Sequence, residues 1–309
     1  MGPTAAGKTA VAMTLAERFP VDVISVDSAL VYRGMDIGTA KPTADELALV
    51  PHRLIDLLDP TENYSAGAFC RDALAAMREI AAADRIPLLV GGTMLYFQAL
   101  QRGLAELPDA DPALRAELDA RAAREGWPAL HAELEKLDPT TAARVQPTDS
   151  QRIQRALEVC ILADEPMSIL QAQTAPSLAA KYLNIGLLPS DRGVLHARIE
   201  QRLQQMVVQG FSAEVEQLLV MPGVGEHTAA LRAVGYRQFL PLVRGEIELD
   251  EALQKAIIAT RQLAKRQLTW LRSWPDLHVV DCLEQNCAEQ VGSLVEGFLN
   301  SRASAGISR

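Results

Sequence analysis

The chain has 309 residues, 49% of them apolar, with four cysteines and a formal net charge of −9. That supplies the core of one large or two modest domains. The acidic balance excludes a general nucleic-acid coat, and four cysteines in this length exclude a disulfide scaffold. No stretch reaches the ~20 apolar residues of a membrane span. No signal-peptide pattern opens the chain, so a cytoplasmic protein with no membrane partner is expected. Cys70, Cys160, Cys282 and Cys287 form no CxxC and no zinc spacing, and are expected to be structural thiols.

Gly2-Pro3-Thr4-Ala5-Ala6-Gly7-Lys8-Thr9 fits the phosphate-loop pattern G-x-x-x-x-G-K-[ST]. The glycines let successive amides turn inward onto an anion. The next helix adds the positive end of its dipole. Lys8 adds a point charge, and the Thr9 hydroxyl suits Mg²⁺. Residues 10–18 read as that helix, closed by Pro20, and 21–27 as a buried strand. Only Met1 stands where a strand should precede the loop. A missing N-terminal strand is therefore expected, with the central slot of the sheet left empty.

Asp27 ends the first strand, at the edge where parallel α/β folds place ligands. It could equally cap the segment after it. Residues 29–42 lack periodicity and read as an ordered functional loop. A short strand is expected over His52–Leu57 and a helix over about 66–83, with Ser65 as its N-cap. Arg85 to Thr93 reads as a strand running into a glycine corner, with a helix beginning at Met94.

From 103 to 182 strands give way to helical spacing, with Asp111-Pro112 and Asp138-Pro139 as helix starts. This is expected to be a helical insertion domain, the core domain being 1–102 and 183–309. Arg152 and Arg155 lie one turn apart, either as a solvated basic edge or as phosphate contacts. A strand resumes at Tyr182–Leu188. The next helix, about 192–209, carries Arg198 and Arg202 on one face, able to reach back to the loop. Residues 232–272 hold eight Lys/Arg against four acids. Arg261, Lys265 and Arg272 line one face of a helix there, interleaved with Gln, Thr and Trp that suit RNA contact. His278–Asp281 is a last strand, and the tail beyond about 300 is expected to be disordered.

Taken together, the blocks resemble the tRNA dimethylallyltransferase family. They are residues 2–9, 27–42, Pro51-His52-Arg53, Tyr64-Ser65, Val90 to Tyr96, Gln151 to Ala156, Arg232 to Gln238 and Arg261 to Gln267. The resemblance spans about residues 2–285. Two features depart from it: the strand before the loop is absent, and Leu30 stands where many members carry Gln. The C-terminal zinc finger of eukaryotic members has no counterpart.

The resemblance implies an α/β fold, a P-loop NTPase-like parallel sheet flanked by helices. It implies transfer of a dimethylallyl group from dimethylallyl diphosphate to the N6 amine of the adenosine 3′ of the anticodon. In that reading Asp27 is the general base and Thr93 the second catalytic residue. Lys8, Arg202 and Mg²⁺ on Thr9 stabilise the leaving diphosphate, which the loop from Gly2 through Pro3, Thr4, Ala5, Ala6 and Gly7 to Thr9 holds. The partner is the tRNA anticodon stem-loop, and the working unit a monomer. The implied tRNA contacts are Asp27, Ser28, Ala29, Leu30, Thr93, Arg115, Gln151, Arg152, Ile153, Gln154 and Arg155. They continue with Arg232, Ala233, Val234, Gly235, Tyr236, Arg237, Lys265, Arg266, Gln267, Leu268, Thr269, Trp270, Leu271 and Arg272. Two rival readings use the same residues: a P-loop small-molecule kinase, and an RNA-binding protein that has lost its activity.

Overall fold

The computed structural model describes residues 1–173 and 180–304. The chain divides into two compact units, one built from Met1–Gln98 and Ala180–Arg309, the other from Ala99–Ala179.

In the first unit the phosphate loop leads into α1 (Lys8–Arg18) and then β1 (Val21–Val26). Every residue of β1 is buried, because Val21, Val23, Ile24 and Val26 fill both faces, as a central parallel strand requires. Its one acid, Asp22, is 5% exposed and accepts the Arg85 Nε–H at 2.6 Å. Helix α2 (Ala44–Leu49) starts on a Thr43–Glu46 capping box. The expected strand over His52–Leu57 shrinks to β2 (His52–Arg53). Leu54 and Asp56 take positive φ values of 64° and 54°, which carry the chain out of the sheet. Asp56 instead pairs with Lys41 at 2.5 Å. Ser65 caps α3 (Ala66–Ala82), its Oγ accepting the Ala68 amide at 3.1 Å. Next come β3 (Ile86–Gly91) and α4 (Met94–Arg102).

The three strands run parallel in the order β2-β1-β3. A separate parallel pair is made by β4 (Asn184–Leu188) and β5 (Leu277–Asp281). Met1 stands beside β4, its backbone nitrogen donating to the Ile185 carbonyl at 2.8 Å and its carbonyl accepting the Leu187 amide at 2.9 Å. Among the described residues no ladder joins β3 to β4. Met1, the residue ahead of the loop, thus pairs with β4.

The remaining helices of this unit are α10 (Arg192–Val208), α11 (Phe211–Leu219), α12 (Tyr236–Val243), α13 (Leu249–Arg272) and α14 (Cys287–Ser304). Leu195, Ile199, Leu203, Phe211, Val215, Phe239, Ile257 and Leu268 form its largest core, together with Val31 and Met35 from the loop after β1. Helix α14 runs past residue 300 to Ser304, where a disordered tail was expected; residues 305–309 lie outside the described residues.

The second unit is helical: α5 (Pro112–Glu125), α6 (Trp127–Leu137), α7 (Pro139–Ala142), α8 (Ser150–Ala163) and α9 (Met167–Ala172). Asp111 and Asp138 cap α5 and α7, each with Pro next in the chain, as the sequence suggests. Leu118, Leu130, Leu134, Ile153 and Leu157 close its core. The four cysteines are all buried and unpaired.

Candidate active site

The loop curls through left-handed residues, as a phosphate cradle must. Gly7 has φ 76°, and so does Ala5 at 62°, a conformation that costs a non-glycine residue about 1 kcal/mol or more. Gly2 serves differently: a Cβ there would lie 3.1 Å from the Leu187 carbonyl oxygen. Its small size therefore lets the loop lie against β4. Lys8 is half-buried and bends back over the loop, donating to the Pro3 carbonyl at 2.7 Å. Thr9 is exposed beside it.

Asp27 comes directly after the last residue of β1. Its Oδ1 accepts the Ala29 amide at 2.8 Å and the Leu30 amide at 3.3 Å, so it caps the loop, one of the two readings open from sequence. The other reading, a carboxylate facing the phosphate loop, has an electrostatic signature. Burial draws the Lys8 ammonium down to about 8, with the Asp27 carboxylate opposing that fall and Arg202 adding to it. Burial lowers Arg202 as well, again opposed by Asp27. The Asp27 carboxylate therefore acts through space on both cations. Arg202 also donates to the Thr39 carbonyl at 3.3 Å, linking α10 to the loop after β1. Its neighbour Arg198 donates instead to the Cys282 carbonyl at 3.3 Å.

Thr93 joins the same place because β1 and β3 are adjacent. A Cβ on Gly91 would fall 2.0 Å from the Val26 carbonyl oxygen, so only glycine lets the two strand ends approach this closely. The Thr93 amide then donates to the Val26 carbonyl at 3.2 Å, and its Oγ1 accepts the Ser28 amide at 3.2 Å. One end of the sheet thus presents a carboxylate, a hydroxyl, a phosphate loop and two cations. That set can deprotonate a weak nucleophile and stabilise a departing anion.

The residues implied as RNA contacts divide by burial. In the first unit Ser28, Arg232, Arg237, Lys265, Arg266, Thr269, Trp270 and Arg272 are exposed, with Ala29, Leu30, Ala233 and Val234 half-buried. Gly235, Tyr236, Gln267, Leu268 and Leu271 are buried, so the side chains of Tyr236, Leu268 and Leu271 serve the core and that of Gln267 turns away from solvent, and none of them offers an RNA contact. In the second unit Gln151 and Arg152 are exposed, while Ile153 is fully buried. Arg115 and Arg155 grip the buried Glu158 carboxylate, Arg115 through two nitrogens at 2.8 and 2.9 Å and Arg155 at 2.6 Å. Gln154 donates to Asp119 Oδ1 at 2.7 Å.

The sequence profile of a family described as IPP transferase matches residues 30–274, and one described as isopentenyl transferase matches residues 1–56. This chain belongs to the tRNA dimethylallyltransferase family. The tRNA dimethylallyltransferase of Ralstonia pickettii is 54% identical over 98% of this chain and 95% of its own. That of Bordetella pertussis is 57% identical over 91% of each. Among solved structures, the tRNA isopentenylpyrophosphate transferase of Bacillus halodurans has a TM-score of 0.71 at 36% identity, covering 98% of this chain and 96% of its own. A eukaryotic dimethylallyltransferase described as acting on tRNA shares the fold with a TM-score of 0.81 at 23% identity, over 97% of this chain and 78% of its own. These likenesses favour neither the kinase nor the inactive RNA-binding protein.

Two buried polar groups of the site region have partners that the sequence does not reveal: Glu214, which no motif marks, and Gln267, which the resemblance implies as an RNA contact. Glu214, 8% exposed on α11, accepts the amides of Asp36, Ile37 and Gly38 at 2.9, 2.6 and 3.0 Å. Gln267 on α13 bonds to the phosphate loop. Each partner lies more than 170 residues away in the chain, beyond the reach of any local pattern.

Proposed function

We propose that this chain transfers the dimethylallyl group of dimethylallyl diphosphate to the exocyclic N6 amine of the adenosine 3′ of the anticodon in tRNA, releasing diphosphate. The observation that carries the reading is the meeting of Asp27, Thr93, Lys8 and Arg202 at one end of the sheet. The N6 lone pair is delocalised into the purine, so the amine is a poor nucleophile until it loses a proton. Asp27 accepts that proton as N6 bonds to the allylic carbon. The carbon–oxygen bond breaks, and its electron pair leaves on the diphosphate.

The growing charge on the diphosphate is met by the loop amides, Lys8 and Arg202. Thr93 holds the amide of Ser28, the residue after Asp27, and its hydroxyl can hold the amine or the diphosphate. The donor set suits Mg²⁺, which binds through few protein oxygens and the substrate's phosphates. Thr9 would hold it, and no group of three His, Cys, Asp or Glu among the described residues forms a protein-only metal site. When bound, the ion would neutralise diphosphate charge.

The adenine must leave its stack to reach Asp27, at a cost of a few kcal/mol offset by pocket contacts. The exposed residues of α13, with Arg232 and Arg237, supply a basic face for the RNA backbone, and Arg152 supplies another in the helical unit. A monomeric working unit and a cytoplasmic location accompany this reading. No helix among the described residues is long and apolar enough to cross a membrane.

The test is turnover of an anticodon stem-loop RNA with dimethylallyl diphosphate, read by mass spectrometry as addition of one prenyl unit. Asp27→Ala is expected to abolish turnover and keep RNA binding. Native turnover in that variant would overturn the reading, as would ATP hydrolysis with no prenylated RNA.

A further inference from the structure

We propose that Gln267 is a positioning residue for the transfer site, tying helix α13 to the phosphate loop at Thr4 and to the Gly92 corner beside Thr93. Its Oε1 accepts the Thr4 amide at 2.9 Å, and its Nε2 donates to the Gly92 carbonyl at 2.9 Å. At 9% exposure it is placed to read neither substrate directly. A Cβ on Gly92 would stand 2.4 Å from Nε2, so the corner leaves room for this amide and no more.

The two partners belong to different halves of the site. Thr4 lies inside the loop that holds the diphosphate. Gly92 is peptide-bonded to Thr93, whose Oγ1 accepts the amide of Ser28, next to Asp27. One side chain thus sets the spacing between the leaving-group cradle and the acid–base end. The job needs a donor and an acceptor on one planar group, which an amide supplies and an ionised carboxylate does not. The flanking Lys265, Arg266 and Thr269 are exposed on the same helix.

The inference rests on the site reading above, and adds to it a residue that touches no reacting atom. The test uses the full chain with Gln267→Leu, Gln267→Glu and, in parallel, Asp27→Ala. Probes are an anticodon stem-loop RNA, dimethylallyl diphosphate and inorganic pyrophosphate. Gln267→Leu is expected to lower kcat by roughly tenfold to a hundredfold, the penalty of a small misplacement. It should also weaken pyrophosphate binding and leave RNA affinity unchanged. In Gln267→Glu the ionised side chain sets an acceptor against the Gly92 carbonyl, whereas the protonated form can again donate there and accept from Thr4. Activity of that variant relative to native should therefore rise as pH is lowered.

A native kcat and KM in Gln267→Leu, with only a lowered Tm, would reduce Gln267 to packing and overturn the proposal. Weakened RNA binding with native kcat at saturating RNA would assign it to the RNA and overturn it equally. Should Gln267→Leu fail to fold, a pH-independent ratio for Gln267→Glu overturns the proposal by itself. An inactive Asp27→Ala beside a native Gln267→Leu sinks this inference alone, while an active Asp27→Ala sinks the site reading beneath it.

Discussion

The Tyr236 hydroxyl donates to Glu214 Oε1 at 2.6 Å, with the tyrosine fully buried. The same carboxylate accepts the consecutive amides of Asp36, Ile37 and Gly38. A buried charge satisfied by four donors fixes the loop whose Thr39 carbonyl receives Arg202. Burial and the adjacent carboxylate both raise the Tyr236 phenol, so it stays a donor. Glu214→Ala would strand those donors and is expected to cost about 3–5 kcal/mol of unfolding free energy. Tyr236→Phe removes one charge-assisted bond and should cost about 1.5–3 kcal/mol. Urea unfolding measures both, and equal losses in the two variants would contradict this arrangement.

Diphosphate binding should carry the signature of Lys8. Its folded-state value of about 8 lies below the ordinary 10.5, because burial disfavours the ammonium. Below about 8 the free protein holds the proton at a cost, which is relieved as pH rises toward 10.5. A bound anion favours the charged form, so affinity for pyrophosphate is expected to be full below about 8 and to fall above it. Lys8→Arg keeps its charge across this range and serves as the reference that cancels the ligand's own titration. Calorimetric titrations showing the same pH dependence in both proteins would remove Lys8 from the diphosphate site.

In the helical unit, the fully buried Glu158 is the hinge of stability. Burial by itself would raise its carboxyl, but the bonds from Arg115 and Arg155 outweigh that and hold it below the ordinary 4.5. Its contribution is therefore complete above about 4.5 and lost as pH falls through the lower folded value. Glu158→Ala is expected to destabilise the protein by about 3 kcal/mol at neutral pH, since two guanidinium groups lose their partner. The gap to native should narrow in acid. A gap that stayed constant down the pH range would show that the carboxylate's charge contributes nothing.

RNA affinity should fall as salt rises, because phosphate contacts release counterions. Replacing the exposed Lys265 and Arg266 by Ala is expected to flatten the log–log slope by about 1 per lost phosphate contact, with sequence preference kept. Filter binding across a salt series reads this directly, and an unchanged slope would place the RNA elsewhere.

Much of the site was legible because its chemistry is local. The phosphate loop announces itself in eight consecutive residues. Asp27 and Thr93 are marked by standing just past the ends of apolar strands. Helix caps at Ser65, Asp111 and Asp138 follow from side-chain type and spacing alone. The expected strand to Leu57 failed because left-handed turns at Leu54 and Asp56, which period-two patterning does not register, end it at Arg53. The basic stripe of α13 hid a division. Lys265 and Arg266 face solvent, while Gln267, Leu268 and Leu271 turn inward, and for Gln267 burial makes its amide a structural clamp.

Sequence alone determined the groups available: a phosphate loop, a strand-end carboxylate, a strand-end hydroxyl and helices with one basic edge. Those depend on short-range covalent spacing and on which residues prefer the inside. Tertiary structure decided which of them meet. Packing of β1 against β3 through Gly91 set Thr93 beside Ser28. Folding of α10, α11 and α13 onto the loops brought Arg202, Glu214 and Gln267 to partners more than 160 residues away. Contacts at such separation arise from the collective burial of a core, and local sequence pattern carries no record of them.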